Sequence, residues 1–348
     1  MAKEQKTKTD ITWRKNKMRA AIINKFGGPE VIEIADIEKP EPKEKEVLVK
    51  NVAVGVGKPD SMVRSGIYPF LKKQPPMLTI GNECSGYVEA IGKDVTKVKV
   101  GDPVWVIHNP GYGACAEYIC VDEQYVTPLP SGMNPLNAVG LLNYFIGYCL
   151  LHEAGRGTDG KSLYILGGAG GVGTALIKMA LADGWEVISA ADTEEKCEHL
   201  RKIGTTHVFN CITQDEKQMI MEFTNGRGVD LVYDQWVGEK LYKELDLLAD
   251  FGMIVVYNWL EGEPKESFYP HMIENATKCT GVRVFSSHIY DNRPERLKEI
   301  QKNVFELLMS GKIDMNGYFY GDFGLEDVIK AHELLDSQKT YGKIILKL

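Results

Sequence analysis

The residues whose spacing says most about chemistry are glycines. Gly168, Gly170 and Gly173 are set as G-x-G-x-x-G, with Gly167 and Gly171 beside them. A short apolar run, Leu163–Leu166, precedes them and reads as a buried parallel strand. Apolar residues at Val172, Leu176, Ile177 and Ala180 follow at helical spacing. In a strand–turn–helix of this kind one glycine permits the tight turn and one lets backbone approach a pyrophosphate. A third lets helix and strand pack closely. The helix N-terminus then offers unpaired N–H groups and a favourable dipole to the phosphates. Such a turn can also be purely structural. A second strand over 185–190, where a ribose-binding residue belongs, favours the dinucleotide reading.

Other reactive residue types are not arranged for chemistry. His108 and His152 lie beside no Ser or Cys with a third orienting group, so no hydrolase triad is read. The seven cysteines form no Cys-x-x-Cys pair and no zinc spacing, which predicts thiols in a reducing compartment. The acidic runs Glu194–Glu195 and Glu295–Glu299 read as solvated helix faces.

The elements that must position the glycine turn follow from the apolar pattern. Strands are predicted at 18–23, 31–34, 47–54, 86–91, 103–107 and 116–121, separated by glycine turns, as in a compact and mainly antiparallel β domain. Near residue 135 the pattern changes to helices alternating with strands at 163–166, 185–190, 207–209, 229–233 and 252–257. That alternation predicts a doubly wound parallel sheet. Helices are predicted over 294–310 and 325–337, with a closing strand at 343–348. Residues 1–17 are polar and lysine-rich and read as a flexible tail.

A chain of 348 residues exceeds one typical core and favours two domains. A net charge of −7 gives no basic footprint, which argues against nucleic acid and anionic membrane as partners. No apolar run approaches the ~18–20 residues of a spanning helix, and residues 1–8 lack the apolar core of a secretory signal. The expected location is the cytoplasm.

Several stretches resemble the medium-chain dehydrogenase/reductase superfamily, and within it the zinc-free quinone oxidoreductase, or zeta-crystallin-like, branch. They are residues 26–31 (FGGPEV), 59–69 (PDSMVRSGIYP), 81–92 (GNECSGYVEAIG), 100–104 (VGDPV), 169–173 (AGGVG), 228–234 (GVDLVYD) and 342–346 (GKIIL), spread over nearly all of 18–348. The resemblance implies an α/β chain made of a GroES-like β domain and a doubly wound Rossmann domain. The expected boundaries are 18–137 with 284–348 for the GroES-like catalytic domain and 138–283 for the dinucleotide-binding domain.

Departures from the family pattern shape the expected chemistry. Zinc members place a cysteine ligand where this chain has Gly57 or Lys58, and a histidine ligand where it has Asn82. No four-cysteine lobe has a counterpart between residues 105 and 121. The metal expectation is therefore none, and Glu83 is expected to be a buried structural carboxylate. Without a Lewis acid on the oxygen, the resemblance implies hydride donation to an acceptor that takes it readily, a small electrophilic quinone or α,β-unsaturated carbonyl. Two pocket positions also differ from the quinone branch: its Asn-Pro-x-Asp reads Gly57-Lys58-Pro59-Asp60, and its Thr-Ala-Tyr-like element reads Ile146-Gly147-Tyr148.

The same resemblance implies site residues. The cofactor would be held by Gly168, Gly170, Gly171, Val172 and Gly173, with Asp192, Thr193 and Lys196 at the adenosine ribose. Asn258 would face the carboxamide, unless it is a turn residue. Lys343 matches a position near the cofactor, or is an ordinary surface lysine. The acidic ribose position of NAD enzymes falls on Ala191, so NADPH is favoured with NADH possible. Asp192 would oppose a 2′-phosphate unless it turns away or caps the following helix. Tyr68 is a candidate substrate contact and proton donor, with water as the other proton source, or else a loop anchor beside Pro69. Tyr144, Tyr148 and Trp259 would line the substrate pocket, with Trp236 at the same expected end of the sheet, or the tyrosines are core helix residues and the tryptophans surface packing. The alternatives are an enoyl-thioester or alkenal double-bond reductase, and a non-catalytic NADPH-binding or structural protein. A homodimer is expected from the family.

Overall fold

The computed structural model describes residues 16–107, 112–158, 160–239, 241–264 and 266–348. Of the predicted tail only residues 16 and 17 fall within these, and His108 lies outside them. The chain divides into two compact units, one running to Leu142 and resuming at Phe319–Leu348, the other comprising Asn143–Tyr318.

The first unit is built from β1 (Lys17–Ile23), β2 (Ile32–Glu38), β3 (Glu46–Val56), β4 (Leu78–Thr79), β5 (Glu83–Ile91), β6 (Pro103–Ile107), β7 (Tyr118–Asp122) and β8 (Val126–Pro128). It also takes β15 (Phe319–Gly324) and β16 (Lys343–Lys347). A small sheet runs β2-β1-β4. A larger one runs β15-β16-β3-β5-β6-β8, with β7 also paired to β3. All pairings are antiparallel except β15 with β16. Inward residues of β3 and β5, such as Val47, Val49, Val54, Cys84 and Val88, form the core with Leu78, Ile80 and Leu346.

The long strand β3 fixes what later becomes a site. Gly55 pairs with Glu83 of β5 on one side and with Ile345 of β16 on the other. Residues directly opposite share a sheet face, and so do residues two apart along a strand. Glu83, Gly55, Gly57 and Lys343 therefore all project to one face. Slipping either pairing by one residue would turn Glu83 or Lys343 to the other face.

The second unit contains β9 (Ser162–Ile165), β10 (Glu186–Ala191), β11 (His207–Asn210), β12 (Val229–Asp234), β13 (Leu248–Val256) and β14 (Gly281–Val284). They form one parallel sheet in the order β11-β10-β9-β12-β13-β14. The order reverses between β9 and β12, and ligands of such sheets bind at the carboxyl ends of the strands beside that reversal. The helix Gly171–Ala182 follows β9 and buries Leu176, Ile177 and Ala180 of the predicted face, with Ala175 and Met179, while Val172 in its first turn is only partly buried.

The structure adds the short strands β4, β8 and β15 to those predicted from sequence, and differs further at β14 and at residues 284–318. Strand β14 carries no usable pattern, because it is a four-residue edge strand with Arg283 and Val284 exposed. Residues 284–318, expected with the GroES-like domain, lie in the second unit. There the helix Pro294–Met309 sends Ile300 into a cluster with Phe145, Cys149 and Tyr290.

A buried polar knot in the first unit joins the helices Lys58–Ser65 and Val328–Asp336. Arg64 donates to the Gly27 carbonyl (3.1 Å) and to Asp336 Oδ2 (2.5 Å), and Ser61 Oγ donates to Asp336 Oδ1 (2.8 Å). Arg64 also meets His332 Nδ1 at 3.0 Å, a contact that requires a neutral imidazole accepting the bond. Burial first, and then the Arg64 charge, lower the His332 pKa to about 4. A depressed imidazole contributes stability above its unfolded pKa of ~6.5, and loses it as pH falls towards 4. In urea titrations the advantage of the wild type over His332→Asn should shrink by roughly 2 kcal/mol between pH 7 and pH 4.5. Parallel pH profiles for the two proteins would show that His332 is not held neutral.

Candidate functional site

The glycine turn in the second unit is shaped to hold an anion. Gly170 N–H donates to the Gly167 carbonyl (3.0 Å), closing the turn, and Thr174 N–H donates to Gly170 (2.8 Å), opening the helix. Gly167 has a positive φ of 74°, which glycine adopts without strain. A Cβ on Gly168 would lie 2.1 Å from Ser189 Oγ, and one on Gly173 would lie 2.5 Å from the Gly167 carbonyl oxygen. At Gly170 a Cβ would meet only that carbonyl oxygen, at 3.4 Å. The first two glycines are thus required by packing, whereas Gly170 leaves an open approach to backbone. The helix has no side-chain cap, so its first N–H groups remain available to a ligand. Thr174 Oγ1 donates to the Gly168 carbonyl (3.3 Å) and meets His199 Nε2 at 3.3 Å, fixing the turn from below.

The neighbouring loops gather at the same carboxyl ends. Asp234, fully buried, accepts from Trp236 N–H (2.6 Å) and Val237 N–H (2.9 Å). These bonds hold Val237 at φ 59°, a conformation that a β-branched residue rarely takes. Burial raises the Asp234 pKa to about 6, against the two backbone bonds that lower it. Gln235 Nε2 and Trp236 Nε1 would lie 1.9 and 3.4 Å from a Cβ on Gly167, so both side chains border the turn. Loop 257–262 is tied to this one by Leu260 N–H to Gln235 and Glu261 N–H to Trp236. It carries Asn258, whose Oδ1 accepts from Trp259 N–H (2.9 Å), and Trp259, which is 53% exposed. The hydroxyl of Tyr257, beside them, is buried without a hydrogen-bond partner.

At the end of β10, Asp192 and Lys196 form an ion pair (2.7 Å), with Asp192 half exposed. The helix cap expected of Asp192 is made by Thr193 instead, whose hydroxyl accepts from Lys196 N–H (3.4 Å). The two lie at i,i+4 spacing on one face of the chain.

The tyrosines are placed differently from one another. Tyr144 is fully buried, donates to the Asp314 carbonyl (2.6 Å) and packs edge-on against Tyr318, so its hydroxyl is committed to the core. The Tyr148 hydroxyl accepts from Asn303 (2.9 Å) and lines an open groove of about 410 Å³ with His152, Asp183 and Lys312. Asp183 ends the helix that Gly171 begins. At 1.5 Å per residue this groove is roughly 18 Å from the glycine turn, at the amino ends of the strands. Tyr68, in the first unit, follows the helix ending at Gly66 and is partly buried against the core, edge-on to Phe70 at 5.8 Å.

In the first unit the aligned residues of β3, β5 and β16 form a buried charge cluster. Glu83, with no exposed surface, accepts from Trp105 Nε1–H (3.0 Å) and Leu142 N–H (3.1 Å) through Oε1. Its Oε2 has no well-directed hydrogen bond and is matched by the Lys343 ammonium at 3.0 Å. Lys343 is 5% exposed, which removes the surface-lysine alternative. Asp60, 1% exposed, bridges two loops by accepting from Gly57 N–H (2.7 Å) and Asn82 N–H (3.0 Å). Burial pushes its pKa up to about 6 although Lys343 pulls it down, and burial also raises Glu83. Ser189 and Gln235 were not singled out from sequence, and Asp60 entered only as the last residue of the Gly57-Lys58-Pro59-Asp60 element, with no role assigned. Only the proline–aspartate opening of a helix at 59–60 gave any signal.

The donor set does not fit zinc. Gly57 offers no side chain, Asn82 no imidazole, and an ammonium rather than a vacancy lies against Glu83. Among the described residues no three His, Cys, Asp or Glu side chains converge as a metal would need. The glycine turn, by contrast, fits a dinucleotide phosphate.

Comparisons with known proteins agree with this fold. Residues 43–131 match the alcohol dehydrogenase GroES-like domain family, and residues 171–310 match the zinc-binding dehydrogenase family. A 2-haloacrylate reductase from a Burkholderia species is 30% identical over 332 residues, covering 94% of this chain and 98% of its own length. A quinone oxidoreductase structure from Pseudomonas syringae aligns with a TM-score of 0.84 at 27% identity, covering 95% of this chain and all of that one. The Escherichia coli quinone oxidoreductase complexed with NADPH aligns at 0.83 and 26%, with the same coverage.

The different surroundings of the glycines generate a test. Gly173→Ala, pressed against backbone, should lose roughly 1–3 kcal/mol of stability. Gly170→Ala should melt close to the wild type yet bind NADPH at least about tenfold more weakly, a loss of ~1.4 kcal/mol. Unchanged NADPH affinity in a folded Gly170→Ala protein, read by calorimetry, would remove the phosphate from this turn.

Proposed function

The chain belongs to the medium-chain dehydrogenase/reductase superfamily, in its quinone oxidoreductase branch, and from that membership we propose how it works. It is an NADPH-dependent oxidoreductase that acts without zinc on a quinone or an α,β-unsaturated carbonyl. The observation that carries this reading is the buried Lys343–Glu83 pair beside Gly57 and Asn82, where zinc relatives would need a thiolate and an imidazole.

NADPH, when bound, supplies a hydride. The protein supplies placement. The backbone of Gly168, Gly170, Gly171, Val172 and Gly173 holds the pyrophosphate, with the helix dipole favouring its charge. Thr193 and Lys196 serve the 2′-phosphate. Asp192, neutralised by Lys196, does not repel it as a free carboxylate would. Asn258 and Trp259, which follow the carboxyl end of β13, would face the nicotinamide side of such a cofactor. Tyr68 contacts substrate and, with water as the other source, returns a proton to the reduced product.

A conjugated carbon–carbon double bond is the second reading, and a relative favours it. The 30%-identical protein is named for a haloacrylate, an unsaturated acid. Alkenals and enoyl thioesters share that acceptor chemistry. The protein is further proposed to be cytoplasmic, in keeping with seven free cysteines and no helix among the described residues able to cross a membrane. A cell fractionation that put it elsewhere would overturn that placement. We also propose a homodimer joined along β14, the open sheet edge where Val284 is 74% exposed. Sedimentation at the monomer mass would refute the dimer.

The deciding assay is NADPH and NADH oxidation in the presence of EDTA against a benzoquinone, a naphthoquinone, a 2-alkenal and a short enoyl thioester. Turnover is expected to survive EDTA and to be faster with NADPH, and the best acceptor chooses between the readings. Activity abolished by EDTA would overturn zinc independence. NADPH binding with no turnover of any acceptor would leave the non-catalytic alternative.

A further inference from the structure

We infer that His199 is a positioning residue of the cofactor site, acting through the Thr174 hydroxyl to aim the backbone of the glycine turn at a pyrophosphate. The inference rests on the dinucleotide reading above and extends it to a buried side chain beneath the turn.

The two residues come from different elements. Thr174 lies in the first turn of the helix Gly171–Ala182 and has no exposed surface. His199 lies in the helix Glu194–Lys202, which follows β10, and is buried. Its Nε2 meets Thr174 Oγ1 at 3.3 Å, and the same oxygen reaches the carbonyls of Gly168 (3.3 Å) and Ala169 (3.4 Å). A threonine hydroxyl has one proton to give, and a carbonyl only accepts. The proton therefore goes to the turn, and the oxygen is left to accept from His199. That requires a neutral imidazole with its proton on Nε2. Burial first, and then the Lys178 and Lys202 charges, lower the His199 pKa to about 4, which keeps the ring neutral at pH 7. Leu200, beside it, is buried at no polar cost, whereas a buried imidazole is tolerated only when hydrogen-bonded.

The direction of this chain of bonds sets the turn. In a trans peptide the N–H points opposite to the C=O. With the Gly168 carbonyl drawn towards Thr174, the Ala169 N–H points away from it. Among the described residues that N–H meets no acceptor, like the first N–H groups of the helix. Glycine peptides rotate more freely than others, so a turn of this composition needs something to hold its planes. The imidazole fixes the hydroxyl rotor, and the hydroxyl fixes the peptide. Donors held in this way bind an anion without first losing that freedom.

Calorimetry with NADPH and with ADP-ribose tests the inference, the second ligand carrying the pyrophosphate but neither the nicotinamide nor a 2′-phosphate. His199→Leu and Thr174→Val should each weaken both ligands at least roughly fivefold, the size of one hydrogen bond. The double variant should lose no more than about twofold beyond either one, since both changes break the same chain. His199→Gln keeps a donor and Thr174→Ser keeps a hydroxyl, so each should stay within about twofold of the wild type. Nitrogen NMR of the wild type should show the His199 proton on Nε2. Unchanged affinity in the folded leucine and valine variants overturns the inference, and so does a loss confined to NADPH. Additive losses in the double variant, or a glutamine variant that binds no better than the leucine one, overturn it as well. If His199→Leu does not fold, Thr174→Val against Thr174→Ser makes the same comparison. A proton on Nδ1 in the wild type overturns it without any variant. A wild type that binds neither ligand would instead overturn the dinucleotide reading, so the two failures are distinguishable.

Discussion

The ion pair between Glu83 and Lys343 is the interaction on which the first unit's site depends. Both groups are inside a sheet, where an ionised carboxylate is costly unless its oxygens are matched. One oxygen is satisfied by the indole of Trp105 and the amide of Leu142, the other by the ammonium alone. That arrangement requires the register of two strand pairings and a residue without a side chain at position 55. It also ties the last strand of the chain to the middle of the sheet, since Lys343 begins β16. A buried pair of this kind adds little net stability over an apolar pair of the same shape. Removing one partner is what costs, at roughly 3–5 kcal/mol.

The second unit works by a different constraint, close backbone approach. Gly168 must clear Ser189 and Gly173 must clear the Gly167 carbonyl, and both demands come from packing the helix against the first parallel strands. Asp234 then holds the adjoining loop by two backbone bonds, storing an unfavourable Val237 conformation beside the turn. The result is a rigid floor at the carboxyl ends of β9, β12 and β13. It leaves Gly170, the free N–H groups of the helix and the buried Tyr257 hydroxyl facing outward or unpartnered.

Aromatic residues illustrate why a motif position does not settle a role. Tyr144 and Tyr148 are one helical turn apart in the sequence, yet one ends in the core against Tyr318 and the other in a groove with His152. The Asp314 carbonyl and the Asn303 amide are the hydrogen-bond partners of their hydroxyls. Trp236 is the reverse case. As one residue of a loop it carried no decisive signal, but Asp234 anchors its backbone and the side chain borders Gly167.

The amino-acid sequence by itself determined the class of the fold, most of its strands and the dinucleotide turn. These depend on local rules, namely apolar periodicity, glycine spacing and the alternation of strands with helices. That Gly57 and Asn82 stand where zinc members of the family carry a cysteine and a histidine was also legible without coordinates. The edge strand β14 and the membership of residues 284–318 were not legible. A short exposed strand has no pattern, and the helix at 294–309 shows an apolar face without saying what covers it. The partners of charged residues were decided only by tertiary structure. Whether Asp192 would cap a helix or turn away was open in the sequence, and its pairing with Lys196 was not read there. Whether Lys343 was a surface lysine or a buried one depended on strand pairings nearly 300 residues apart along the chain, which bring Glu83 and Lys343 together. Register is a non-local property, fixed by how β3 and its neighbours bury their faces, and a linear pattern of residue types does not contain it.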